Sequence, residues 1–148
     1  MEIRVQSSKP ILILFLIRAI ISGYHAWSHI HAAVLTTAMQ DVFIGVVGVI
    51  LPIIALMLIL GRKLAFGYGL FSVAMLGSFV FGACYHFILD TPDLSSNVKS
   101  AGAEHFTASA FLLAVVEITG FVWGVHCWRS LITPRSSGSP SASVELKR

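Results

Sequence analysis

Histidine is the commonest protein ligand for metal ions, because a neutral imidazole offers one lone pair at a pH where it is not protonated. Six histidines occur in this chain of 148 residues. His25 and His29 stand four apart, which puts both imidazoles on one face of a helix. His86 and Asp90 have the same spacing, and Glu104 and His105 are adjacent. Imidazole with carboxylate suits copper, zinc, iron or manganese. The candidate ligand set is therefore His25, His29, His86 and His105, with Asp90 and Glu104 beside them. A b-type haem would need two axial histidines on facing helices. Four candidate histidines with neighbouring carboxylates exceed that requirement, so a transition metal ion (copper, zinc or iron) is the expected cofactor ahead of haem b.

A second constellation pairs opposite charges. Arg18 and Glu117 each interrupt a long apolar run. A charge in such a run needs a reason, and two of opposite sign most simply neutralise each other. They are expected to form a buried ion pair between the first and fourth apolar segments. The alternatives are an Arg18 that snorkels to the membrane surface and a proton or quinone path. The bland reading of the histidines is interfacial, with His31, His86 and His105 bonding to loops, water and headgroups. His25 lies deeper, roughly 12 Å below the outer edge at 1.5 Å per residue, and there it needs a partner.

The elements that must position these groups are legible in the hydropathy. Hydrophobic residues make up 56% of the chain and charged residues 11%, against about 25% charged in a soluble domain. Mean hydropathy is +0.85. Four apolar stretches, about 11–34, 42–60, 64–89 and 105–131, each have the length of roughly 20 residues that a helix needs to cross a bilayer. The alternation of a membrane barrel strand is absent. The fold class expected is all-α: an integral membrane four-helix bundle, up-down-up-down, spanning 11–133. Asp41 is a candidate cap for the second helix. Asp90-Thr91-Pro92-Asp93 should stop the third, and Pro52 should kink the second. Ala74, Ser78, Gly82, His86 and Asp90 recur every four residues, a small-residue stripe for close helix packing. Helices one, three and four are expected to share a polar interior.

Orientation follows from the basic residues. Arg4, Lys9, Arg62, Lys63, Arg129, Arg135, Lys147 and Arg148 fall on one side of the four-helix path, and Lys99 alone falls on the other. Both termini, 1–10 and a disordered tail at 134–148, are thus expected to be cytoplasmic, in a multi-pass protein of the cell membrane. The first segment is read as retained: Arg18 interrupts it and no small-x-small cleavage site follows. Cys84 and Cys127 belong to opposite membrane faces and should not pair.

The net charge of +3 does not imply nucleic acid, because the basic residues form no stripe or arm. No phosphate-binding loop, H-E-x-x-H, C-x-x-C or G-x-S-x-G occurs. The leading functional expectation is a metal or haem site near the outer face of a small, redox-related membrane protein. The bilayer is the first partner, with other membrane subunits or further copies of the chain beside it. Two alternatives from other classes are an accessory subunit without catalysis and a small proton-coupled carrier using Arg18 and Glu117.

Overall fold

Four helices long and apolar enough to cross a membrane make up the fold: α1 (Lys9–His31), α2 (Ala38–Leu60), α3 (Leu64–Ile88) and α4 (Ala103–Ile132). The computed structural model describes residues 9–133, and there is no strand among them. The expected tail at 134–148 and most of the expected N-terminal segment at 1–10 lie outside the described residues.

The distribution of side chains is inverted relative to a soluble protein. Apolar residues such as Ile20, Ile30, Phe66, Val73, Phe111 and Val122 are exposed on the outside, while Arg18, His25, Ser28, Gln40, Ser78, His86, Ser109 and Glu117 are buried. An apolar surface of that extent is far beyond what water-facing monomers display. It is what a hydrocarbon solvent requires.

α3 packs along α4, α2 packs along α3, and α1 packs along α4. The contact between α3 and α4 is close because Gly120 and Gly124 admit Met75, Phe71 and Ser72. Gly67 brings α3 against α2 so tightly that a Cβ there would sit 2.9 Å from the backbone nitrogen of Ile59. α1 and α2 share no comparable contact, and a cleft remains between them.

The helix ends differ from expectation for identifiable reasons. α1 stops at His31, three residues short of the expected boundary, because Ala33 takes a left-handed conformation (φ 54°). The Val34 and Ala33 amides then bond back to the carbonyls of His29 (3.0 Å) and Ile30 (3.1 Å). This is the Schellman arrangement, made without its usual glycine. α2 begins at Ala38, earlier than expected, and Asp41 is not its cap. Thr37 caps it in a reciprocal box with Gln40, and Asp41 instead accepts from Thr36 (2.6 Å). α3 ends at Ile88, with Leu89 extended, so Asp90 leaves the stripe that carries Ala74, Ser78, Gly82 and His86.

Two widened, π-type turns interrupt the helices, at Ile44–Ile50 in α2 and Cys84–Ile88 in α3. Such turns re-aim side chains and free carbonyls within otherwise regular helices. Both occur where the buried polar groups gather.

Candidate metal centre

The imidazoles of His25, His29 and His86 converge. Nε2 of His25 lies 3.1 Å from Nε2 of His86 and 3.2 Å from Nε2 of His29. One ligand nitrogen from each of the three falls within 4.8 Å of the others. The rings meet edge to face, with centroids 4.7 and 4.8 Å from that of His25. Phe106, fully buried, packs against all three rings. It walls the cluster on one side with an apolar surface.

The opposite nitrogen of each ring is held by the protein. His86 Nδ1 lies 3.1 Å from the carbonyl of Asp93, and His29 Nδ1 lies 3.3 Å from the carbonyl of Val34. A carbonyl only accepts, so in both rings Nδ1 carries the proton and a neutral ring keeps its lone pair at Nε2. His25 Nδ1 lies 2.9 Å from Ser109 Oγ. That hydroxyl can give or take a proton, and it also contacts Ser28 Oγ (2.9 Å) and the Phe106 carbonyl (2.9 Å). A proton on His25 Nε2 can satisfy one neighbour at a time. A cation at the centre satisfies all three lone pairs, with Ser109 then accepting from His25 Nδ1.

The supports of this arrangement come from local chain geometry. The left-handed turn at Ala33 swings the Val34 carbonyl back onto His29. The widened turn at Cys84–Ile88 carries His86 inward at the end of α3. The following loop is tied over it, since Ser95 N–H donates to the His86 carbonyl (2.9 Å). Gln40 donates from Nε2 to the buried Asp93 carboxylate (2.6 Å), while its Oε1 accepts from Thr37 N–H (2.6 Å). The cap of α2 thus fixes the residue whose carbonyl orients His86.

The remaining sequence candidates lie apart from the triad. His105 faces another direction from Phe106 and Ser109. Its Nδ1 is hydrogen-bonded to Tyr24 Oη (2.8 Å), in an aromatic group with Trp27 and His31. Asp90 is exposed and accepts from Asn97 Nδ2 (2.9 Å). Glu104 is exposed in the first turn of α4, where a carboxylate complements the helix dipole. Among the described residues, no carboxylate therefore joins the three imidazoles.

Arg18 and Glu117 form an ion pair, Nη2 to Oε1, of 3.2 Å with both side chains buried. Arg18 also reaches Ser78 Oγ (3.4 Å) and donates from Nη1 to the Gly48 carbonyl at 2.6 Å. Gly48 is four residues before Pro52, which has no N–H to give it. Arg18 fills that vacancy, a role for Pro52 beyond the kink assigned from sequence. Serines 28 and 109, Gln40, Asp93 and the Gly48 carbonyl were all missed by sequence reasoning. Ser28 alone carried a helical signal, three residues beyond His25.

A cavity of about 610 Å³ occupies the cleft between α1 and α2 and touches both constellations, the triad at one end and Arg18 with Glu117 further in. Comparison with protein-family models, with curated proteins and with solved structures found no match.

Replacing Glu117 with Leu leaves a buried, uncompensated guanidinium and should cost about 3–5 kcal/mol. The double variant Arg18→Met/Glu117→Leu should recover at least about 1 kcal/mol of the summed single costs. Unfolding titrations in detergent check this. Strictly additive costs would mean the two charges are not coupled.

Proposed function

We propose that this protein is a multi-pass membrane protein that binds a transition metal ion through Nε2 of His25, His29 and His86. One observation carries the reading: three imidazole nitrogens converge while the protein holds the opposite nitrogen of each ring. Two ligands at about 2.0–2.1 Å from a tetrahedral ion stand roughly 3.3–3.4 Å apart, close to the 3.1 and 3.2 Å separations of His25 from its two neighbours. The three ligand nitrogens together lie within 4.8 Å, so His29 and His86 would draw inward around an ion. Imidazoles oriented through their other nitrogen are the usual support of a metal ligand. All three histidines line the cavity, so an ion held by them would be open to an exogenous molecule from that side.

An all-imidazole set without carboxylate favours copper or zinc over iron. Haem b fits less well, because a porphyrin would have to lie between two axial nitrogens and a third imidazole already crowds that space. The topology proposed is up-down-up-down with both termini cytoplasmic, which puts the triad toward the outer face. Charge asymmetry supports it. Oligomers and larger complexes stay compatible with the apolar exterior. The carrier reading has no comparable support, since Arg18 and Glu117 are committed to each other.

Protein purified without chelator should carry about one copper or zinc per chain and no Soret band. Ser109→Ala should lower metal affinity about 10–100-fold, and His25→Ala should abolish stoichiometric binding. A metal-free preparation that takes up neither ion, or a Soret band lost in His25→Ala, would overturn the reading. For the topology, an epitope inserted after Ser96 should be reached by antibody on intact cells, whereas a tag after Arg148 should need permeabilisation. The reverse pattern would invert the proposal.

A further inference from the structure

The cleft between α1 and α2 has the features of a second binding site. Its volume of about 610 Å³ is in the range of small-molecule pockets, about 300–1,000 Å³. Polar side chains line its floor, and exposed apolar side chains line part of its rim, beside Thr36 and Asp41. Arg18, Ser22, Ser78 and Glu117 line the inner part, while Ile30 and Val49 at the rim are exposed on the lipid-facing surface. Phe43 of α2 and Phe81 of α3, stacked with centroids 4.4 Å apart, line the same cavity.

The charges on the floor define the head group that fits. Arg18 and Glu117 cancel, so a charged head would lose its hydration without gaining a counter-ion. The guanidinium already spends its Nη groups on Gly48, Ser78 and Glu117 Oε1. Glu117 bonds Arg18 through Oε1 and lines the cavity, and its other carboxylate oxygen takes no hydrogen bond from the described residues, which leaves it as an acceptor. The complementary ligand is neutral, donates a hydroxyl hydrogen, carries an aromatic ring for Phe43 and Phe81, and has an apolar body that leaves through a gap between helices.

We propose that this cleft binds a membrane-dissolved hydroquinone, with a phenolic O–H donating to Glu117, the ring against Phe43 and Phe81, and the tail passing between α1 and α2 into lipid. The site uses the side chains of the cleft floor and does not depend on a metal at the triad.

The test titrates purified full-length protein in lipid nanodiscs with decylhydroquinone under argon, reading adducts by native mass spectrometry, with metal content measured on the same samples. Decanol and decanoate are the comparators. Saturable binding of about one molecule per chain is expected, in metal-loaded and chelator-treated protein alike, with both comparators weaker by about ten-fold or more. A Cβ at Gly48 meets nothing closer than 3.7 Å, and one at Gly82 nothing closer than 3.9 Å. Gly48→Leu and Gly82→Leu should therefore fold, fill the cleft from α2 and from α3 and weaken hydroquinone by about ten-fold or more. Gly48→Leu should leave metal content unchanged. Absent or non-saturable binding overturns the proposal. So does decanol or decanoate binding as tightly as the hydroquinone, or wild-type affinity in the two filled variants. Saturable hydroquinone binding by protein that takes up neither copper nor zinc would defeat the metal reading alone.

Discussion

A guanidinium inside an apolar bundle must be neutralised and given acceptors, and here that requirement joins all four helices through the two Nη groups, while Nε stays buried without a partner among the described residues. Arg18 of α1 reaches the Gly48 carbonyl on α2, the Ser78 hydroxyl on α3 and the Glu117 carboxylate on α4. Each contact needs a local concession. α2 supplies a carbonyl released by Pro52. α3 supplies a hydroxyl within a stripe of small residues. α4 carries a buried acid whose charge is tolerable only beside the arginine. α1 thereby approaches the other helices through polar contacts inside the bundle without packing along α2, which leaves the cleft open.

The end of the bundle that holds the α1–α2 and α3–α4 connections solves a different problem, that of aiming three imidazoles at one point. Two of the three rings are oriented by backbone carbonyls, and both carbonyls are placed by irregular chain geometry. Val34 is placed by the left-handed turn at Ala33, and Asp93 by a loop tied down through Gln40. A chain of bonds runs from the Thr37 cap through Gln40 and Asp93 to His86. The metal reading gains weight from this second layer, because interfacial histidines that serve only as hydrogen-bonding residues have no need to face one another at Nε2.

The spans were legible because lipid demands about twenty apolar residues in each, and the fixed rise of the helix let His25 and His29 be placed on one face. The stripe from Ala74 through Ser78 to His86 was legible for the same reason. Asp90 was misplaced because α3 ends at Ile88 after a widened turn, which periodicity cannot register. His105 was placed in the candidate ligand set by its residue type and its neighbour Glu104, yet Phe106 and Ser109 occupy the inward face of α4 and His105 does not. Asp41 yielded the cap to Thr37, whose box with Gln40 was present in the sequence and overlooked. The carbonyls of Gly48, Val34 and Asp93 carry no residue-type signal at all, so the supports of the site could be found only in three dimensions.

Among available measurements, X-ray absorption at the copper or zinc edge of the purified, metal-loaded protein addresses the triad most directly. The account requires about three nitrogen scatterers near 2.0–2.1 Å, with the outer-shell features of imidazole, and their collapse in His86→Ala. A first shell of oxygen or sulfur, or an imidazole signal unchanged in His86→Ala, would contradict it.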